Sequence, residues 1–169
     1  MNRRAPSAFS LLELIITLMI FSIVLSMVIP AYSILKDKSA HAALRDQLHA
    51  SLNHARTHAV LHRTAVGLCG SPDGLTCRND WSQGWRVYQL KSPEQSLLIQ
   101  QLDKSSRLRW AGFDRRLRFQ KNGTTPTSNG RFFQCKEGQI SWQLIINRQG
   151  RVRHASLSEN LAEAHRCQP

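Results

Sequence analysis

The chain has 169 residues, with 23 Lys and Arg against 11 Asp and Glu, so its formal net charge is +12. Once the apolar N-terminal segment is set aside, the remainder is large enough for one hydrophobic core and too small for two. The basic excess indicates an anionic partner, which would be nucleic acid, a lipid surface or an acidic polymer, or else a positive surface that serves solubility.

The first predicted element is an apolar run from Leu11 to Ile29, in which Glu13 is the single ionisable residue. As a helix, this run would rise about 28 Å, close to the hydrocarbon thickness of a bilayer. A secretory signal would have a shorter apolar core followed by a small-residue cleavage site. A plain membrane anchor would not explain a carboxylate whose insertion costs about 2–3 kcal/mol, and a buried core helix of this length would have a polar face. The run is therefore predicted to be a membrane-spanning helix with a functional acid.

The residues at the start of this apolar run resemble a known processing signal. The stretch Ala8-Phe9-Ser10-Leu11-Leu12-Glu13-Leu14 resembles the class III signal of type IV pilin-like proteins. The resemblance implies cleavage by a prepilin peptidase between Ala8 and Phe9, methylation of the Phe9 amine, and retention of the helix. Ala8 stands where Gly is usual. Glu13 would pair with the amino terminus of a neighbouring subunit, and Pro30 would take the place of a helix-kinking proline.

The same resemblance implies the domain boundaries and the location of the protein. Residues 1–8 would be the leader peptide, residues 9–35 the transmembrane and filament-core helix, and residues 36–169 a periplasmic globular domain that includes the C-terminal half of the helix. The helix would first anchor the subunit in the inner membrane and later pack in a pilus at the cell surface. Cleavage would remove Arg3 and Arg4, which leaves 21 basic against 11 acidic residues and a net charge of +10.

Beyond Pro30 the helix is predicted to continue to about His62, because the stretch from Ser39 lacks Pro and Gly. Spacings of four, four, three and four give it one apolar face, suited to packing on a sheet, formed by Leu44, Leu48, Leu52, Ala55 and Ala59. A row of histidines at a spacing of four also shares a face: His54, His58 and His62. Such spacing can bind a metal, but no carboxylate or Cys lies nearby in the sequence, so surface histidines are favoured.

After His62 the hydrophobic period changes to that of short strands. Extended segments are predicted at residues 65–68, 85–90, 97–102, 117–119, 131–135, 141–146 and 151–154, separated by Gly, Asn and Pro turns. A short helix is predicted in the tail, over residues 156–164. One long helix followed by six or so short, mostly antiparallel strands predicts an α+β fold with the helix laid across a sheet.

Four cysteines follow the helix, and an even number in an exported domain predicts two disulfides, for which three pairings exist. We favour Cys69–Cys77, which closes a short loop around the turn Pro72-Asp73-Gly74. Cys135–Cys167 would then fasten the C-terminal tail to the sheet. A zinc site is the rival interpretation, but the spacings do not fit paired C-x₂₋₄-C ligands.

Two basic clusters stand out in the second half of the chain. The first has Trp110 and Phe113 interleaved with its cations and Asp103 and Asp114 opposed to them; its members are Lys104, Arg107, Arg109, Arg115, Arg116, Arg118 and Lys121. The second consists of Arg148, Arg151, Arg153, His154, His165 and Arg166. In a strand, Arg151 and Arg153 would project from one face about 7 Å apart, which matches successive phosphates of a nucleic acid. Gly150 would permit a tight turn or a close approach by a ligand. Solvated arginines that protect a sheet edge are the competing interpretation.

A second resemblance bears on this choice. Phe119-Gln120-Lys121-Asn122-Gly123, followed by strands and by Gly150-Arg151-Val152-Arg153, resembles the C-terminal half of the FimT/GspH family of minor pilins and pseudopilins. In FimT-type members the Gly-Arg-x-Arg stretch is implicated in binding DNA, which implies a role for Gly150, Arg151 and Arg153. Charge alone adds Arg148 and Arg166. GspH pseudopilins can share this ending, so the motif does not by itself prove DNA binding.

The leading hypothesis is a type IV minor pilin that binds DNA without sequence preference during natural transformation. In competent cells, retraction of the pilus would then draw the bound DNA toward the uptake machinery. Its partners would be other pilins or pseudopilins, prepilin peptidase, the inner membrane and the DNA backbone. The alternative is an architectural minor pilin or a type II secretion pseudopilin without a DNA role. An enzyme is not expected, because no nucleophile motif appears, and no catalytic residue, metal or cofactor is predicted.

Overall fold

The first element of the computed structural model, which describes residues 11–91, 94–102 and 106–168, is helix α1 (Leu11–Leu61), with Pro30 inside it. The expected cleavage site at Ala8 and Phe9 lies outside the described residues. Two compact units divide the chain between Ala40 and His41. In the first unit, the large apolar side chains from Leu11 to Leu35 are exposed, and the helix is long and apolar enough to cross a membrane.

The part of α1 that belongs to the second unit buries the face that the sequence predicts. Leu48, Leu52, Ala55 and Ala59 are fully buried, and Leu44 nearly so. The helical spacing of these residues therefore identified the packing face correctly. All buried side chains among the described residues lie at or beyond Leu44, so the unit that begins at His41 contains its own core.

Two four-stranded antiparallel sheets follow the helix, where the sequence predicts one. The first has the order β3-β2-β1-β5 and the second β4-β6-β7-β8. The strands are β1 (Val66–Gly70), β2 (Gly84–Gln89), β3 (Gln95–Gln101), β4 (Leu108–Gly112), β5 (Leu117–Phe119), β6 (Gly130–Lys136), β7 (Gln139–Ile146) and β8 (Val152–His154). The predicted set lacks β4, because Arg109 and the cations around it hide the alternation of Leu108 and Trp110, whose side chains turn to the core.

One hydrophobic core joins the buried face of α1 to both sheets. Its centre in the second sheet is Phe132 of β6, whose ring lies 4.7 Å from that of Trp81 and 4.4 Å from that of Trp110. Aromatic rings at these distances gain attraction beyond their buried area. These contacts hold β4 against β6. They therefore fix the C-terminal end of β4, where an exposed loop begins.

The C-terminal tail covers the opposite face of the second sheet. It forms helix α2 (Leu157–Ala162) and a 3-10 helix (Ala164–Cys167), in place of the single predicted helix. The Ser156 hydroxyl caps α2 by accepting from the Glu159 N–H, and the Glu159 carboxylate accepts from the Ser156 N–H. The disulfides join Cys69 to Cys77 and Cys135 to Cys167, the two pairs that the sequence favours, so all four thiols are consumed.

Candidate nucleic-acid interface

The turn between β7 and β8 carries the Gly-Arg-x-Arg stretch. The Gly150 N–H donates to the Asn147 carbonyl at 2.9 Å, and the Arg151 N–H donates to the Asn147 side-chain oxygen at 2.9 Å. Gly150 has φ of +73°, a conformation that L side chains rarely adopt. The turn is thus closed by its own backbone and by Asn147, while the side chains of Arg148 and Arg151 are exposed.

A second loop, which follows β5, is fastened to this turn. The Thr125 N–H donates to the Arg148 carbonyl at 2.8 Å, and the Thr125 hydroxyl donates to the Asn147 carbonyl at 2.7 Å. Arg56 of α1 donates to the carbonyls of Gly123 and Gln149, each at 3.2 Å. The helix, the loop and the turn therefore form one hydrogen-bonded unit.

The space beside Gly150 is filled by the protein's own backbone and is not open to a ligand. The residue is buried, and a Cβ added to it would meet the Gly123 carbonyl oxygen well inside the 3.0 Å that real Cβ atoms keep. Of the two sequence-based explanations for Gly150, the geometry matches a tight turn with close packing.

Four exposed cations lie on these joined segments and on β5, the strand that leads into the loop. They are Arg118 on β5, Lys121 directly after it, and Arg148 and Arg151 on the turn, and we call them the turn patch. Phe119, between the first two, is buried, and its ring lies 3.4 Å from the place that a Cβ of residue 150 would take. Within the described part of the chain, none of the four cations takes part in an ion pair.

Arg153 differs from these cations because its guanidinium forms an ion pair with Glu159. Its two terminal nitrogens donate to the two Glu159 carboxylate oxygens at 2.9 and 2.6 Å. Arg153 and the Ser156 N–H lower the pKa of Glu159 to about 2, and the pKa of Arg153 is raised by the same pairing. Val152, between Arg151 and Arg153 in the sequence, is half-buried, but the two arginines do not form the predicted pair of free guanidinium groups, because Glu159 engages Arg153.

Arg166 lies at the other edge of the second sheet. Its carbonyl accepts a bond from Arg109 of β4 at 3.2 Å, and its guanidinium pairs with Glu163, which also pairs with Arg131 at 2.8 Å. The edge strands β4 and β8 are three strand spacings apart, or about 14 Å. The structure therefore brings Arg148, Gly150 and Arg151 together and places Arg166 elsewhere.

The remaining predicted positions are dispersed. Glu13 is exposed in the first turn of α1. The first basic cluster divides between the start of β4, the β4–β5 loop and β5; its member Lys104 and the opposing Asp103 lie outside the described residues. In the histidine row, the rings of His58 and His62 stack at 4.1 Å, and burial lowers the pKa of His58. His54 lies 6.1 Å from His58, measured between ring centroids.

The N-terminal part of α1 is apolar and exposed, and its later part packs on antiparallel sheets that the C-terminal tail covers. This combination defines a type IV pilin-like protein. The model of the family described as "Type II transport protein GspH" matches residues 45–150, and the prokaryotic N-terminal methylation motif matches residues 3–29. The chain belongs to the GspH family, whose members are structural subunits of pilin type rather than enzymes.

A solved structure supports the fold. A crystal structure of the type IV minor pilin FimU of Pseudomonas aeruginosa (strain PAO1) is 24% identical, covers 72% of this chain and 92% of its own, and has a TM-score of 0.57. A second crystal form of FimU is also 24% identical, covers 67% and 90%, and has a TM-score of 0.49. No curated protein matches the chain. The methylation motif and the apolar helix fit a membrane-anchored pilin.

Proposed function

We propose that this chain is a minor pilin that binds the phosphate backbone of DNA through the turn patch during natural transformation. The observation that supports the proposal is the separation of the basic residues into two groups. Arg118, Lys121, Arg148 and Arg151 are exposed and lack ion pairs within the described residues, whereas Arg153 and Arg166 are each engaged by a glutamate.

The chemistry of this patch suits phosphate and not base recognition. Guanidinium groups bind phosphate oxygens through paired N–H donors, and Lys121 adds a point charge. Phosphate contacts contain no base information, so binding is independent of sequence and weakens as salt is raised. Gly150 shapes the turn that presents the arginines. Arg153 joins the site only where phosphate displaces Glu159.

Assembly and location follow from the N terminus. Prepilin peptidase would cut between Ala8 and Phe9, and the Phe9 amine would be methylated. The helix would anchor the subunit in the inner membrane, with the globular domain in the periplasm, before the subunit enters a pilus. Glu13, exposed in the first turn, would pair with the amino terminus of a neighbouring subunit, because a carboxylate in an apolar filament core needs a cationic partner.

An architectural subunit, in a pilus or in a type II secretion pseudopilus, is the second candidate. It is favoured by the family match and by the use of Arg131, Arg153 and Arg166 in ion pairs that fasten the tail to the sheet. In that case the turn patch would contact acidic surfaces of neighbouring subunits.

A mobility-shift assay separates these functions. It uses residues 36–169, which retain every buried side chain of the described core, with labelled duplex DNA at low and physiological salt. The test variant is Arg148→Gln/Arg151→Gln. The control, Arg78→Gln/Arg107→Gln, removes the same charge from exposed positions at the opposite ends of the sheets.

We expect the test variant to lose at least tenfold in affinity and the control less than threefold. No binding by the unmodified domain at low salt would refute the DNA role and favour the architectural subunit. Equal losses in the two variants would refute the placement of the site on the turn.

A further inference from the structure

The loop between β4 and β5 presents an aromatic ring to solvent. Phe113 is 89% exposed, and Arg115 and Arg116, also exposed, follow it in the same loop. The loop is held from both sides. The Trp110 indole N–H donates to the Asp114 carbonyl at 2.8 Å, and the Phe113 N–H donates to the Asn129 carbonyl at 3.4 Å. Trp110 is itself fixed by Phe132, so the position of Phe113 is set by the core.

A groove of about 400 Å³ lies beside Phe113. This is within the size range of sites for small organic groups. Gly112 and Gly130, which pair across β4 and β6, line it with backbone alone, and the polar residues Asn129, Arg131 and Arg166 complete the lining. A Cβ on either glycine would strike the Trp110 ring, so both positions must remain glycine for the indole to lie under this strand end.

The groove combines three chemical groups that suit one ligand. An exposed phenyl ring stacks on a planar base, an amide can bond the edge of that base, and the exposed Arg115 and Arg116 of the same loop can contact the sugar-phosphate. Arg131 and Arg166 line the groove but are both paired with Glu163, whose pKa they lower, so among the described residues the free cations beside Phe113 are those of its own loop. We infer that this groove holds an unstacked nucleobase of single-stranded DNA, with Phe113 as the stacking residue.

The groove and the turn patch lie at the same end of the second sheet. Gly112, Gly130, Ile146 and Val152 form one row across its four strands, with the groove at the β4–β6 side and the turn at the β7–β8 side. The two sites are therefore about 10–15 Å apart. The loop between β5 and β6 connects them, because Asn129 bonds the Phe113 backbone and Thr125 bonds the turn. A single strand can cross this end, whereas a duplex keeps its bases paired and offers the groove none.

This inference rests on the proposed function, and its test separates the two. The full chain, in neutral detergent, is titrated with a fluorescent twelve-residue oligo-dT and with a matched duplex, and affinity is measured by anisotropy. Phe113→Ala is compared with Phe113→Trp, which restores a stacking ring, and with Leu75→Ala, which removes a similarly exposed apolar side chain from the Cys69–Cys77 loop.

We expect Phe113→Ala to lose about tenfold in affinity for oligo-dT and less than twofold for the duplex. Phe113→Trp should retain the affinity, and its new indole fluorescence should be quenched by oligo-dT. Leu75→Ala should change nothing. Binding of oligo-dT that is unaffected by Phe113→Ala, or an equal loss for both DNA forms, would overturn the groove while leaving the turn patch intact. No binding of either DNA form by the unmodified chain would overturn the proposed function and the groove together.

Discussion

Replacement of Gly150 by Ala should destabilise the domain far more than the same change at Gly138. Both glycines have nearly the same backbone conformation, with φ of +73° and +74°, so the intrinsic cost for Ala is about 1 kcal/mol at each. They differ in their surroundings. An added Cβ at Gly138 has nothing within 4 Å, whereas at Gly150 it collides with the Gly123 carbonyl.

The collision must be relieved by moving the loop that contains Gly123. That movement strains three hydrogen bonds: Arg56 to Gly123, and the two bonds that Thr125 makes with the turn. At about 1 kcal/mol for a net hydrogen bond, partial loss of the three adds about 2 kcal/mol. We therefore expect about 1 kcal/mol for Gly138→Ala and about 3 kcal/mol for Gly150→Ala.

Urea unfolding of residues 36–169, followed by tryptophan fluorescence, measures this difference. With a slope of about 2 kcal/mol per molar urea, the midpoint should fall by about 0.5 M for Gly138→Ala and about 1.5 M for Gly150→Ala. Equal shifts would show that the left-handed conformation alone explains Gly150, and would refute the argument that the turn and the loop form one packed unit.

Further predictions concern the tail and the helix. Glu159→Gln should free Arg153 and raise DNA affinity about twofold to fivefold in anisotropy, since one more cation reaches phosphate. The Glu159 pKa of about 2, depressed from 4.5, means that the ionised carboxylate stabilises α2 above pH 4.5 and that this stability is lost as pH falls towards 2. The loss should appear as falling protection factors for amide exchange in α2, relative to the intrinsic rate at each pH, and Glu159→Gln should remove this pH dependence. Glu13→Gln should leave membrane insertion intact but impair assembly, and normal incorporation into filaments would contradict the pairing. Removal of the Cys135–Cys167 disulfide should lower the free energy of unfolding by about 3–4 kcal/mol, and removal of Cys69–Cys77, which closes the shorter loop, by about 2.5 kcal/mol. Urea unfolding of the two double Cys→Ser variants measures both losses.

Local patterns predicted much of the fold. The spacing of Leu44, Leu48 and Leu52 identified the buried helix face, because helical periodicity depends only on near neighbours. The alternation in β2 and β7 predicted strands for the same reason. The division into two sheets was not predicted, because it depends on which strands pair across long stretches of chain, such as β1 with β5.

The candidate site was predicted in part. The sequence predicted a turn between the segments at residues 141–146 and 151–154, and Arg148 and Arg151 are exposed there, but it grouped Arg151 with Arg153 rather than with Arg148. The pairing of Arg153 with Glu159 was not foreseen, although the spacing of Ser156 and Glu159 is that of a capping box and indicated that this acid would lie at a helix start. No sequence signal indicated that Arg56 would bond two loops, since its partners are backbone carbonyls far along the chain.

The salt dependence of DNA affinity tests the central claim most directly. Four unpaired cations on the turn patch predict a slope of about −3.6 for log K against log salt with duplex DNA, and Arg148→Gln/Arg151→Gln should reduce this to about −1.8. The measurement is anisotropy of labelled duplex with residues 36–169 between 25 and 200 mM salt, on the order of the range where counterion release is linear. A slope that the double substitution leaves unchanged, or an affinity independent of salt, would contradict a phosphate-binding site on the β7–β8 turn.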